Sequence, residues 1–180
     1  NFKDLHNSPT SDVATAELIA VPLTFLALVL VFGGLVAASL PLVVGATAIL
    51  ATYLFLRILV MFTDVSVYSL NITTTLGLGL GIDYALFIVT RYREQLRNNK
   101  TLSEALVITL NTAGRTVVFS SLTVAVSLSA LFVFPLFFLQ SFAYAGIVVV
   151  LAAMLGAVIV LPALLAVLGP KVNSLKVFNR

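Results

Sequence analysis

Five apolar runs, separated by short polar segments, dominate the pattern of the 180-residue chain. Each run is long enough to cross a bilayer as an α-helix, which takes about 20 residues. The pattern predicts an all-α membrane protein with a bundle of five transmembrane helices within residues 18–169. Pro162 lies inside the last run and is expected to kink it, because proline lacks an N–H group. The predicted spans are about 18–35, 41–61 (beginning at Pro41), 69–92, 115–134 and 142–168.

The composition supports the same class of protein. Hydrophobic residues make up 61% of the chain, charged residues 9%, and the mean hydropathy is +1.15. Soluble domains carry about 25% charged residues, so a soluble fold is excluded. Cysteine is absent, which rules out disulfides and thiol catalysis. His6 stands alone, and no acids or histidines have metal-ligand spacing, so neither a metal site nor an enzyme is expected.

The distribution of basic residues predicts an orientation. Lysine and arginine cluster after the third run and in residues 170–180, whereas the segments around Asp64 and Pro135 contain none. The positive-inside rule then places the N-terminus outside and the C-terminus in the cytoplasm, and nucleic-acid binding is not expected. Residues 1–17 are interpreted as the tail of a preceding periplasmic or extracellular segment, and 170–180 as a cytoplasmic tail. Arg57 is expected to snorkel to the outer headgroups, with pairing to Asp64 as the alternative.

A cytoplasmic loop is predicted over residues 93–114. Within it, Thr101 and Glu104 have the spacing of a helix N-terminal capping box. We expect a short amphipathic helix over Leu102–Thr112, lying at the inner membrane interface and ending before Gly114. A plain connector is its favoured role, and a lever between helices is the alternative.

Asp83 is the candidate functional residue, because it is the only carboxylate inside any predicted span. A charged side chain at mid-depth costs roughly 2.5–3.5 kcal/mol on insertion scales, so such residues face a protein interior or a water path. Tyr84 follows directly and can hydrogen-bond a carboxylate. Gly79, one turn earlier, is expected to let a neighbouring helix approach the acid. The favoured interpretation is a proton or ion carrier, and the alternative is a buried polar pair that only fixes helix packing.

Two stretches resemble a known transporter family. The string GLGLGIDYALFIVTRYREQ is similar to the fourth transmembrane helix of the MmpL-type (mycobacterial membrane protein large) transporters of the resistance-nodulation-division superfamily. The string GRTVVFSSLTVAVSLSALFVFP is similar to the next helix of that family. The similarity covers about residues 13–172, and it implies that the chain corresponds to the second through sixth helices, half of the family's transmembrane domain.

The resemblance implies a proton-driven exporter of lipids or other amphiphiles in the bacterial cytoplasmic membrane. Asp83 and Tyr84 match the family's proton relay, which pairs with an equivalent Asp-Tyr helix from the other half of the transporter. Ser120 matches a serine near the relay and Gly79 supports it by close packing. The implied partners are membrane lipids, an amphiphilic substrate and the second half, and a homo-oligomer is left open. Protons are the coupling ion, and no cofactor is implied.

A module that senses lipids or sterols without transporting them is the alternative function. The sterol-sensing domains of related proteins use the same five helices, and an acid without its partner half could then be purely structural. A second G-x-D-Y helix some hundreds of residues downstream in the full reading frame would favour the transporter.

Overall fold

The computed structural model describes residues 22–30, 34–61, 66 and 68–169, and its elements in these ranges are all helices. Four stretches are long and apolar enough to cross a membrane: Leu35–Leu59, Thr73–Arg97, Leu102–Val133 and Phe137–Leu168. Part of the first predicted span lies in a further helix over residues 22–30. The predicted all-α membrane bundle is therefore confirmed.

The helices are named in chain order, with two π turns as π1 and π2. They are α1 (22–30), α2 (Leu35–Leu59), α3 (Tyr68–Arg97), α4 (Leu102–Thr109), π1 (Leu110–Gly114), α5 (Arg115–Ser129), a 3₁₀ turn (Ala130–Val133), α6 (Phe137–Leu155), π2 (Gly156–Val160) and α7 (Leu161–Leu168). The centre of the bundle is formed by α2, α3 and α6, which pack against one another, and α5 packs on α6.

The second span begins earlier than predicted. Pro41 lies inside α2, which starts at Leu35. Pro41 lies in the second turn of the helix, where it removes one backbone hydrogen bond to the Ala37 carbonyl. Three residues of the added turns, Ala37, Ala38 and Leu40, are buried in the core. Their packing holds the helix together on the N-terminal side of the proline.

The predicted cytoplasmic loop is much shorter in the structure. The third helix continues to Arg97, so only residues 98–101 separate it from α4. Asn99 ends this helix with a positive φ of 57°, and the Lys100 N–H donates to the Gln95 carbonyl at 3.3 Å. A left-handed residue at this position is a common way to terminate a helix, and Asn adopts it more readily than most residues do.

The capping box is confirmed, whereas the separate interfacial helix is not. The Glu104 N–H donates to the Thr101 hydroxyl at 3.3 Å, and the Thr101 N–H donates to the Glu104 carboxylate at 3.0 Å. The helix that starts here does not end before Gly114, because Gly114 has helical angles of φ −59° and ψ −43°. It passes through π1 directly into α5, so the predicted short helix is the first part of one long helical stretch, Leu102–Val133.

The last span begins at Phe137, about one turn before the predicted start, and carries a π turn near its C-terminal end. Pro162 lies in the first turn of α7, directly after π2. Proline cannot donate to the carbonyl four residues earlier and its ring crowds that carbonyl, and the wider π turn accommodates both effects. The irregularity expected from Pro162 therefore takes the form of a π turn.

Candidate functional site

One face of α3 is covered by the bundle and the opposite face is open. The buried positions recur at helical spacing: Gly77, Gly81, Tyr84, Ala85, Ile88, Val89 and Tyr92. The exposed positions also recur every three or four residues, which places them on one stripe along the helix. We call this set the open stripe of α3: Thr75, Gly79, Asp83, Phe87, Thr90 and Glu94.

The two candidate relay residues lie on different sides of this helix. Asp83 is exposed on the open stripe, and no hydrogen bond or ion pair joins it to the described residues. Tyr84 is 7% exposed, and its buried hydroxyl has no hydrogen-bond partner among the described residues. Neighbouring helix positions differ by about 100° around the axis, which accounts for the separation. Within the described part of the chain, the structure thus does not join this tyrosine to this carboxylate.

The close helix contact expected at Gly79 occurs instead at Gly81. A Cβ atom on Gly79 would meet nothing within 4 Å, whereas one on Gly81 would lie 2.5 Å from the Gly45 Cα atom on α2. Gly77 is also tightly covered, because a Cβ atom there would lie within 3.0 Å of the Ile49 and Val149 side chains. Gly79 is therefore a position without a side chain on the open stripe beside Asp83, and no helix among the described residues approaches it.

Ser120 differs from the other hydroxyl residues of α5. The Ser121 hydroxyl is buried and donates to the Val117 carbonyl at 2.7 Å, and the Ser127 hydroxyl donates to the Thr123 carbonyl at 2.9 Å. Ser120 is exposed and makes no such bond with the described residues. Its hydroxyl is consequently available to a group outside this helix.

The helix that carries Ser120 is the most open of the spans. Within an 18-residue apolar window of the span Leu102–Val133, only 17% of the residues are buried, against 39–44% for the other three described spans. A charged side chain on the neighbouring open stripe would be costly against lipid. We expect further protein to cover this side of the bundle.

A groove separates the C-terminal end of α3 from π1 and the start of α5. It has a volume of about 430 Å³. Arg91 donates to the Glu94 carboxylate at 2.7 Å and, more weakly, to the Thr112 hydroxyl at 3.5 Å. Sequence reasoning missed this groove, although the helical spacing from Asp83 to Phe87, Thr90 and Glu94 was available as a signal. Its lining residues are Phe87, Thr90, Arg91, Glu94, Thr112, Ala113 and Thr116.

The described residues contain no candidate metal centre, and they do not test the alternative pairing of Arg57 with Asp64. No group of three or more histidine, cysteine or acidic side chains that could hold a metal occurs among them. Arg57 is exposed in the last turn of α2, which fits snorkelling. Its alternative partner Asp64, like His6, lies outside the described residues.

Comparison with known proteins places the chain among membrane transporters. A sequence model of the MMPL family matches residues 1–178. A putative membrane protein of Streptomyces coelicolor is 48% identical over 165 residues, which are 92% of this chain and 23% of the relative.

Two further relatives come from Mycolicibacterium smegmatis. Its trehalose monomycolate exporter MmpL3 is 41% identical over 166 residues, covering 92% of this chain and 16% of the exporter. Its mycolic acid-containing lipids exporter MmpL11 is 36% identical over 158 residues, covering 88% of this chain and 17% of the exporter. The chain thus spans less than a quarter of the length of each of these relatives.

Proposed function

Because the chain belongs to the MMPL family, we propose that it forms part of an exporter of lipids or other amphiphiles driven by the proton-motive force. The family membership and the apolar helices establish a multi-pass membrane protein. Lipid export is favoured by the relatives named as exporters of trehalose monomycolate and of mycolic acid-containing lipids. These names also favour transport over catalysis, and over a module that only senses lipid.

The observation that carries the proposal is the position of Asp83. The residue is exposed in the middle of a membrane helix, where an unpaired carboxylate is expensive. Its protonated form is neutral and tolerates an apolar surface, whereas its ionised form needs water or a donor. The two protonation states of Asp83 therefore favour two different packings of this face. Moving one charge across the membrane potential contributes a further energy of about 2.3 kcal/mol per 100 mV. This coupling is the physical basis of a proton-driven conformational cycle.

The covering partner in this proposal is a second half of the transporter with an equivalent Asp-Tyr helix. Asp83 and Ser120 are both exposed on their helices, and Gly79 leaves room for a helix beside the acid. Tyr84 completes the relay in one of two ways. Its side chain turns out of the buried position, or its hydroxyl polarises the contact between the two Asp-Tyr helices from where it lies. The relatives are long enough to contain such a half, since this chain covers only 16–23% of them.

The proposed setting is the bacterial cytoplasmic membrane, with the N-terminus outside and the C-terminus in the cytoplasm. Membrane lipids surround the bundle and an amphiphile is the cargo. Protons are the coupling ion, and the proposal needs no resident cofactor. Assembly into a homo-oligomer is compatible with it.

The test is replacement of the carboxylate in the full-length transporter. Asp83→Asn keeps the size of the side chain but cannot ionise, so we expect proton-coupled export to be abolished while expression and membrane insertion stay near normal. Thr75→Ala, two turns earlier on the open stripe, is the matched control and should transport normally. Normal export by a well-expressed Asp83→Asn protein would overturn the proposal.

A further inference from the structure

Two π turns lie side by side at one level of the bundle. π1 (Leu110–Gly114) and π2 (Gly156–Val160) contact each other, α5 packs on α6 to one side of them, and α4 packs on α7 to the other side. Single π turns inside α-helices are rare and are often found at functional sites. The pair therefore divides this part of the bundle into two helix pairs that meet at the π turns.

The backbone at π2 is suited to a change of helical register. The Leu161 N–H donates to the Gly156 carbonyl, five residues earlier, which is the bond that defines a π turn. Pro162 follows and has no N–H, so a change of register here has one hydrogen bond fewer to break. A shift of one residue turns the segment after it by about 100° and moves it by about 1.5 Å. A small change at π2 therefore becomes a large movement of α7 relative to α6.

The first residue of π2 packs directly on α2. A Cβ atom on Gly156 would lie 3.2 Å from the Val44 Cγ1 atom and 3.5 Å from the Thr47 Oγ1 atom. Val44 is fully buried, and the Thr47 hydroxyl donates to the Val44 carbonyl at 2.8 Å, so this turn of α2 is well packed. A movement of π2 therefore displaces α2 at Val44.

The next residue of α2 contacts the helix that carries the candidate acid. A Cβ atom on Gly81 would lie 2.5 Å from the Gly45 Cα atom, so the two backbones touch here. Asp83 is two positions after Gly81, about 3 Å along the axis of α3. We call the contact of Val44 and Gly45 with Gly81 and Gly156 the glycine junction. Two successive residues of α2 thus touch π2 and the helix of the acid.

We propose that the glycine junction couples the protonation state of Asp83 to the register of π2. This inference rests on the function proposed above. When protonation changes the packing of the open stripe, α3 shifts against Gly45, Val44 carries the shift to Gly156, and π2 changes register. The change turns α7 together with α4, because packed elements move between discrete arrangements and do not deform continuously. Val44 is a positioning residue in this scheme, since it touches neither the acid nor the cargo.

Removal of the π turn tests its role in the full-length transporter. Deletion of Ile159, which is exposed in π2, takes out the extra residue of the turn and leaves the flanking helices with their present faces. We expect export to fall tenfold or more at equal expression and equal folded fraction, because the turn then has only the α register. Ile159→Ala is the matched control, since it removes the side chain but keeps the length of the turn, and it should export normally. Normal export by the deletion protein would overturn the proposal.

The coupling itself is measured as a distance in the same protein. Spin labels on Leu155→Cys and Val167→Cys, two exposed positions that flank π2, are introduced in a cysteine-free background. Asp83→Asn holds its position neutral, and we expect the distance between the labels to differ from that in the labelled parent by about 3 Å or more. Val44→Ala removes the contact with π2 and should abolish this difference.

Two further variants identify the contact. Val43→Ala is the matched control for Val44→Ala, because Val43 is the neighbouring residue and is exposed, so the difference between the labels should persist. Val44→Ala combined with Gly156→Ala returns a methyl group to the same contact from the other side and should restore part of the difference. A difference that survives Val44→Ala, or no difference between Asp83→Asn and the parent, would overturn the coupling.

The two proposals fail separately. The label distance does not depend on transport, so normal export by Asp83→Asn would overturn the proposed function even if π2 follows the state of that residue. An Asp83→Asn protein that has lost export, but whose labels lie at the parent distance, would overturn the glycine junction and leave the relay intact.

Discussion

At the scale of single residues, the most informative side chain is that of Tyr84, whose hydroxyl is buried. A buried hydroxyl without a partner costs roughly 1–3 kcal/mol in lost hydration. Tyr84 is 7% exposed and its hydroxyl has no hydrogen bond within the described chain. A side chain kept in such a position has either a packing role, which phenylalanine would fill equally well, or a role in proton transfer, which phenylalanine cannot fill.

Tyr84→Phe separates these roles in the full-length transporter. Removal of the unsatisfied hydroxyl should leave the thermal midpoint in detergent unchanged or slightly higher. If the phenol serves the relay, export should fall to nearly the level of an Asp83→Asn protein. Both quantities are measured on the same preparations.

Tyr144→Phe is the control for this substitution. Its ring packs on Phe132 with centroids 4.9 Å apart, a contact that phenylalanine preserves, so neither quantity should change. Normal export by Tyr84→Phe would remove the phenol from the relay. A lower thermal midpoint would instead show that the hydroxyl finds a partner in the complete protein.

At the scale of helices, two glycines of α3 that look equivalent in the sequence have opposite surroundings. A Cβ atom on Gly81 would lie 2.5 Å from the Gly45 Cα and 2.8 Å from its nitrogen, and these backbone atoms cannot rotate away. One on Gly79 would meet nothing within 4 Å. The missing side chain therefore allows the close crossing of α2 and α3 at Gly81, whereas it has no such role at Gly79.

Gly81→Ala and Gly79→Ala form a matched pair. Carbon atoms pack at about 3.5–4.0 Å, so alanine at Gly81 must push the two helices apart. Overpacking of this kind costs about 1–3 kcal/mol, and the thermal midpoint in detergent should fall. Alanine at Gly79 should leave stability unchanged or raise it by a few tenths of a kcal/mol through helix propensity.

Export by the Gly79 variants reports on the uncovered side of the bundle. If a second half packs beside Asp83, export should decline from glycine to alanine to leucine at this position while the folded fraction stays constant. A Gly79→Leu protein with wild-type export would show that no helix approaches here. Equal stability of Gly81→Ala and the parent protein would contradict the crossing itself.

At the scale of the whole molecule, the short loops fix which ends of the helices lie together. Residues 98–101 join α3 to α4 at one end of the bundle. At the other end, the Ser66 N–H donates to the Ser141 hydroxyl at 3.1 Å and links the starts of α3 and α6. From the basic residues Arg91, Arg93 and Arg97 we expect the first of these ends to be cytoplasmic.

Single cysteines test this orientation in intact cells. Asn98→Cys should be protected from an impermeant thiol reagent, whereas Ser66→Cys and the exposed Leu136→Cys should react. Labelling after membrane disruption provides the reference for each protein. Reactive Asn98→Cys with protected Ser66→Cys would reverse the orientation.

The sequence by itself determined the properties that depend on local composition and spacing. Membrane insertion follows from apolar length, so each of the four described spans overlaps an apolar run predicted from the sequence. The capping box at Thr101 and Glu104 was predictable because all of its atoms lie within one turn. The identification of Asp83 needed only the absence of other carboxylates in the spans, and the family resemblance rested on contiguous strings such as GIDY.

Only the tertiary structure decided which neighbour covers each helix face. The 3.6-residue period separates Asp83 from Tyr84 around α3, but it does not say which of them a second helix buries. For the same reason the sequence could not distinguish the packed Gly81 from the open Gly79. Pro41 and Gly114 lie inside continuous helices because packing and a π turn outweigh their local tendency to end one. The groove beside Arg91 joins residues from α3 and from the helix after it, and no local pattern contains both.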